Sequence, residues 1–337
     1  MSLKILRGGM LTSIQDLGRL GYQKYGIIGS GVMDEWSARM ANILVENDEN
    51  EGVLELTMFG PQIEFLEDTL IALTGGDLQA MIEDKEVPLW RPVYIKKGSV
   101  LSFGFAVSGC RAYLAVSSGF DIPLIIGSKS TYLRAGLGGF KGRALKEGDQ
   151  LFLGSKHTAF KDFAAKNISE SFWAPTWSLP HPVWPSGDES VEIRVTSGAQ
   201  MKLFTSESIH AFFNQNFTIT ADSDRMGYRL QGDRLSLIAK EDMISEAISF
   251  GSIQVPPEGN PIILLADRQT AGGYPKIAQV CSVDLSLIAQ LKPDFQLSFR
   301  LISHNEAEAL FLMRETDLLQ QKYSVSFFQR EGLVKRT

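Results

Sequence analysis

Pro261-Ile262-Ile263-Leu264-Leu265-Ala266-Asp267-Arg268-Gln269-Thr270-Ala271-Gly272-Gly273-Tyr274-Pro275 joins two opposed patterns in one stretch. Residues 261–266 form a continuous apolar run, the composition of a strand buried on both faces. It is followed at once by an acid, a guanidinium, an amide, a hydroxyl and paired glycines. Polar side chains where a core strand surfaces are solvated, paired or turned toward a ligand. Glycine, lacking Cβ, lets backbone N–H groups come close to that ligand. The stretch predicts a β architecture with a site where this strand ends.

The rest of the chain has the same texture. Val53-Leu54-Glu55-Leu56, Gln62-Ile63-Glu64-Phe65 and Leu101-Ser102-Phe103-Gly104-Phe105 alternate as half-buried strands. Leu70 to Leu73 and Arg111 to Val116 read as more buried strands. Val191 to Val195, Arg234 to Ile238 and Gln296 to Arg300 continue the pattern. Helices are few. Met33 to Leu44 places Trp36, Met40, Ile43 and Leu44 on one helical face, with Asp34 at the N-cap; a second helix begins near Asn305. Between about 155 and 190, Pro175, Pro180, Pro182 and Pro185 alternate with Trp173, Trp177 and Trp184. Prolines exclude regular structure there, and the tryptophans mark a packed connector. The division predicted is 1–155, a connector at 156–190, and 191–325. Lys97-Gly98-Ser99-Val100-Leu101-Ser102-Phe103 echoes Lys292-Pro293-Asp294-Phe295-Gln296-Leu297-Ser298-Phe299, by duplication of a β unit or by chance.

Composition narrows the function. The 337 residues are 44% hydrophobic and 21% charged, with net charge −6, which fits a soluble globular protein and argues against nucleic-acid binding. Apolar runs are of strand length, far below the roughly 20 residues of a membrane span. Lys4 and Arg7 meet Gly8-Gly9 without a signal-peptide core. The two cysteines, Cys110 and Cys281, read as core residues of a cytoplasmic protein. No metal site is expected, since His157, His181, His210 and His304 are dispersed. Gly26 to Gly31 and Gly136 to Gly142 match neither a Walker A loop nor a Rossmann fingerprint, and read as turns of positive φ, with close approach to a phosphate or carboxylate as the alternative.

Three polar groups remain. Gln15, Asp16, Arg19 and Asp34 flank a turn and a helix start; an Asx turn, a cap and a local pair account for them as well as a site does. Arg225, in Ser223-Asp224-Arg225-Met226-Gly227, binds either an anion or a loop carboxylate. The segment from Asp267 carries the strongest expectation of function.

Taken together, TSIQDLGRLG (12–21), SGVMD (30–34), LELTMFGP (54–61), IGSKSTYLRAGLGGFKGRALKEGD (126–149), SDRMGYRL (223–230), ISFGSIQVPPEGNPIILLADRQTAGGYPKIAQV (248–280) and LIAQLKP (287–293) resemble one family. It is the KipA-like family, also known as the C-type component of the bacterial ATP-dependent 5-oxoprolinase or as allophanate hydrolase subunit 2, and it is similar to the carboxyltransferase domain of urea carboxylase. Ser118 stands where the family usually has a second glycine, and Pro293-Asp294 replaces a Pro-Gly-Asp turn.

The resemblance implies a mainly β fold of two tandem cyclophilin-like β-barrel domains with a few short helices. It implies a cytoplasmic component of a heteromeric enzyme, working with a KipI-like B-type partner and a separate A-type partner. Such an assembly converts 5-oxo-L-proline to L-glutamate with ATP, which is bound by the complex. On this reading Asp267, Gln269 and Tyr274 act on the lactam between the two domains. Arg225 or Arg19 meets the substrate's carboxylate or phosphate, Arg268 is a further substrate-binding residue, Gly272 and Gly273 donate N–H groups, and Gln15, Asp16 and Asp34 line the opposite wall. A carboxyltransferase component of a biotin-dependent enzyme is the alternative. No biotin is expected on this chain, because Ala199-Gln200-Met201-Lys202-Leu203 only approximates an attachment sequence. A third reading is a KipI-binding regulator of a sporulation sensor-kinase pathway.

Overall fold

The computed structural model describes residues 3–154, 170–186, 190–239 and 243–334, with side chains to 328. His157 and residues 156–169 of the expected connector lie outside them. Two compact units emerge, and they interleave along the chain. The first comprises residues 1–18, 34–184 and 316–337, the second 19–33 and 185–315. The polar run from Thr12 to Arg19 is therefore divided between them.

In the first unit, β1 (Leu3–Arg7), β2 (Leu11–Gln15), β3 (Val53–Thr57), β4 (Gln62–Phe65), β5 (Thr69–Asp77) and β6 (Met81–Ile82) precede β7 (Lys85–Glu86), β8 (Pro92–Ile95), β9 (Val100–Ser102), β10 (Ser108–Val116), β11 (Gln150–Leu151) and β12 (Phe172–Trp173). They form two six-stranded sheets, ordered β11-β1-β4-β9-β6-β7 and β12-β8-β5-β10-β3-β2. Leu3, Ile5, Ile63, Phe65 and Leu101 of the first sheet cluster with Ile14, Leu54, Leu56, Ile71, Leu73, Leu114 and Val116 of the second. Strand periodicity then sends Ser13, Glu55, Thr74 and Tyr113 to the second sheet's other face. That face is covered by helix α1 (Glu35–Leu44), which packs on β5 and β10. Asp34 caps α1 by accepting from the Ser37 N–H at 3.0 Å. Val53 to Leu56 is accordingly not half-buried: all four residues are buried, Glu55 included, because both faces of β3 are covered.

In the second unit, β13 (Val191–Ser197), β14 (Phe217–Ile219), β15 (Gly227–Gln231), β16 (Glu246–Ala247), β17 (Ser252–Gln254), β18 (Ile262–Leu264), β19 (Ala271–Gly272), β20 (Lys276–Val280) and β21 (Gln296–Leu301) follow. A closed barrel runs β13-β20-β17-β18-β15-β14-β21, and β16 pairs with β19 apart from it. Helix α2 (Ser206–Asn214) packs on β21, stacking Phe212 on Phe299 with centroids 4.5 Å apart. A short α3 (Leu285–Ala289) and a long α4 (His304–Val334) complete the helices of the described residues. The fold is mainly β, as expected. The strand expected at Arg234–Ile238 is absent. Only Leu237 bridges, to Phe204, because the backbone here bonds to the 203–205 turn and to Gly259 instead of one neighbouring strand.

The two departures from the family pattern occupy strained backbone. Ser118 has φ +77° and Asp294 φ +72°, in the left-handed region that L-residues disfavour. Asp294 is in the turn entering β21. The echoing turn before β9 has Gly98 in its place, with φ +89°. Asp294→Gly is therefore expected to stabilise the chain by about 0.5–1 kcal/mol, the relief of αL strain net of glycine's greater unfolded entropy. A urea-unfolding midpoint that falls in this variant would contradict that account.

Candidate functional site

The β15–β18 register builds the site in the second unit. Gly227 lies opposite Leu264, and beyond the strand ends the Asp267 N–H donates to the Arg225 carbonyl at 2.8 Å. Their side chains then meet. Arg225 Nε donates to Asp267 Oδ2 at 3.0 Å and Nη2 to Oδ1 at 3.3 Å, both residues being buried. Arg225 Nη2 also donates to the carbonyl of Gly31. The pair thereby fastens the 19–33 segment, in which Ser30 is buried at φ +52° and Arg19 is buried with its N–H on the Gly29 carbonyl. Of the two readings of Arg225, it is the loop carboxylate that this geometry shows.

The chain past Asp267 is open on the other side. Gln269 is exposed, and Tyr274 is 46% exposed with its carbonyl accepting from buried Gln254 Nε2 at 3.2 Å. A Cβ on Gly272 would lie 2.5 Å from Ile248 Cδ1 and 2.9 Å from Gln254 Nε2, so those side-chain tips would have to shift to admit one. Gly273 is less confined, 3.4 Å from the Met243 carbonyl. Arg268 donates Nη1 to the Leu265 carbonyl at 3.2 Å and Nε to the Ile248 carbonyl at 3.3 Å, with its guanidinium over Phe250. Burial pushes its pKa below the usual arginine value. Arg268, Gln269, Gly272, Gly273 and Tyr274 thus share one strap, braced on Ile248 and Gln254.

The first unit holds Gln15, Asp16 and Asp34. Asp16 accepts from Ser128 Oγ, Ser130 Oγ and the Lys129 N–H, each at 2.6 Å, and from the Gly18 N–H at 2.8 Å. Gln15 Nε2 donates to Ser13 Oγ and the Thr131 carbonyl, while its buried Oε1 has no partner among the described residues. Asp34 accepts from both groups of Ser37, and its N–H donates to Tyr113 Oη at 2.8 Å.

That contact exposes residues the sequence reading missed. Ser13, Glu55, Tyr113 and Thr74 lie opposite one another across β2, β3, β10 and β5, all buried. Tyr113 Oη donates to Glu55 Oε2 at 3.0 Å, and Thr74 Oγ1 to the Ser37 carbonyl at 2.6 Å. Burial, then the charges of Glu55 and Asp34, push the Tyr113 pKa well above its ordinary value, so it stays a neutral donor. A lone acid in an apolar strand was the available signal for Glu55.

The Gly136–Gly142 loop is a packed turn. Gly139 and Gly142 have φ +51° and +68°, and a Cβ on either would overlap Thr131 Oγ1 or the Gly136 carbonyl. Gly139 and Gly142 thus serve close packing, whereas Gly136, at φ +61°, has open space where a Cβ would lie. Among the described residues no cluster of His, Cys, Asp and Glu is placed to hold a metal, and no helix is long and apolar enough to cross a membrane.

Comparison with known proteins extends this description. Residues 25–301 match the family described as carboxyltransferase domain, subdomain A and B. The chain is 37% identical to the C component of 5-oxoprolinase from Haemophilus influenzae over 298 residues, covering 88% of this chain and 90% of the relative. It is 36% identical to the Escherichia coli protein of the same name, covering 90% and 93%. The crystal structure of Kluyveromyces lactis urea amidolyase superposes with a TM-score of 0.84 at 31% identity, covering 94% of this chain and 20% of that larger protein. The urea carboxylase structure from the same organism gives the same TM-score and identity, with 29% of its length covered. The chain belongs to the carboxyltransferase-domain family of subdomains A and B.

Proposed function

We propose that this chain is a cytoplasmic component of an ATP-dependent 5-oxoprolinase, which opens 5-oxo-L-proline to L-glutamate together with a KipI-like B-type partner and an A-type partner. The observation that carries this reading is the match in length as well as sequence to two proteins named as the C component of 5-oxoprolinase. ATP is a substrate of the assembly. A five-membered lactam is a stabilised amide; transfer of the ATP γ-phosphoryl to its carbonyl oxygen releases ADP and makes the carbon electrophilic, water then adds to that carbon, the ring C–N bond breaks and phosphate leaves. Here Gln269 and the Gly273 N–H donate to the lactam oxygen as it takes up negative charge on its way to attack the phosphoryl group, Tyr274 walls the lactam, and Asp267, oriented by Arg225, sets the start of the strap.

Dependence on partners has support in α4. Leu312, Leu319, Tyr323 and Phe327 follow at intervals of seven, four and four residues, and each is more than half exposed. An apolar stripe of this kind is what an assembled protein buries.

The expected result is ATP-dependent glutamate release from 5-oxoproline when this chain is combined with its two partners, and none when it is omitted. Full activity of the two partners alone would end the proposal. The likeness to urea carboxylase favours a second reading, carboxyl transfer with biotin on another chain. Avidin-reactive protein co-purifying with this chain would support it.

A further inference from the structure

Several cations of the second unit meet carboxylates: Arg194 pairs with Asp284, Arg225 with Asp267, Arg300 with Glu192 and Lys276 with Glu246. Arg268 meets none among the described residues. Its protein partners there are two main-chain carbonyls and the face of Phe250. Those bonds use two of its five N–H groups and fix the guanidinium plane. Three N–H groups, both on Nη2 included, are left without a protein acceptor among the described residues. A partly buried cation without a counter-ion is costly, and a pre-oriented planar fork suits a carboxylate or phosphate.

We propose that Arg268 is the anion receptor of the 267–275 strap, taking the carboxylate of a small lactam acid through its free N–H groups. Arg19 and Arg225 are the arginines expected from sequence to meet anions. Arg225 is already committed to Asp267 and Gly31, so the charge available on this strap is that of Arg268. Gly272 leaves the space that a Cβ would take to the side chain of Ile248, the residue whose carbonyl orients Arg268. Naming the anion as the 5-oxoproline carboxylate rests on the function proposed above; the anion site itself does not.

The test is calorimetric binding to the full chain, alone and in the reconstituted assembly, with 5-oxoproline, its decarboxylated analogue 2-pyrrolidinone, and inorganic phosphate. Wild type should bind 5-oxoproline about 10- to 100-fold more tightly than 2-pyrrolidinone, the range expected of hydrogen bonds to a charged group. Arg268→Gln should lose that preference and Arg268→Lys should keep part of it, with unchanged unfolding midpoints showing that both fold. Arg268-dependent binding of phosphate but not 5-oxoproline would keep the receptor and overturn its assignment to a lactam carboxylate. Arg268-dependent binding of 5-oxoproline by an assembly that does not hydrolyse it would overturn only the 5-oxoprolinase reading. If no anion binds in an Arg268-dependent way, the inference falls even where the assembly turns over.

Discussion

Asp267→Ala is expected to destabilise the second unit by about 3–5 kcal/mol, the cost of breaking a buried ion pair by removing one partner. Asp267 and Arg225 are each about 6% exposed, so the substitution removes one half of an ion pair from a buried site. Removing both charges together, as in Arg225→Met with Asp267→Leu, should recover much of the loss, since a buried ion pair and an apolar pair of similar volume are often near equal. Equilibrium urea unfolding of the two single variants and the double variant measures the coupling. An Asp267→Ala midpoint equal to wild type would show that the pair does not hold this part of the barrel. Turnover assays of Asp267 variants are informative only after that measurement, because an unfolded strap and a missing catalytic group both abolish activity.

The second large effect is expected in the first unit, where Asp16→Ala should cost about 3–5 kcal/mol. Four donors converge on this carboxylate, two serine hydroxyls and two backbone N–H groups. Three of them come from residues 128–130, so Asp16 ties the end of β2 to a loop far along the chain. Alanine takes away the carboxylate that these donors share, while Ser130 Oγ keeps its 3.5 Å approach to the main-chain carbonyl of residue 16. Asp16→Asn retains one acceptor oxygen but loses the charge and turns an amide toward groups that donate to the carboxylate, so an intermediate loss is expected. If Asp16→Ala unfolds at wild-type urea concentration, the clamp is not structural and Asp16 returns to consideration as a ligand contact.

These expectations show what kind of information the sequence carried. Asp34 was legible as an N-cap because capping is local: the acid, the following serine and the helix start are near neighbours in the chain. The strap from Asp267 was legible because an apolar run passes directly into charges and glycines. The turn before β21 was legible too, since its echo before β9 has glycine where Asp294 adopts the same positive φ. Glu55 was not legible. Alternation in Val53-Leu54-Glu55-Leu56 has the same appearance whether the glutamate faces water or a helix, and only the packing of α1 decides.

By itself, then, the sequence determined the β texture, the helix start at Asp34, the polar strap after β18 and membership in a family through motifs spread over the chain. The tertiary structure decided which polar groups are spent on the fold and which stay available. Asp16 and Arg225 are committed by partners far away in the chain, and Arg268, one residue past a paired acid, keeps open N–H groups. The reason is that periodicity records the face on which a residue lies, whereas strand register sets which distant charge it meets there. Burial then turns that meeting into a structural bond or leaves a group facing a ligand.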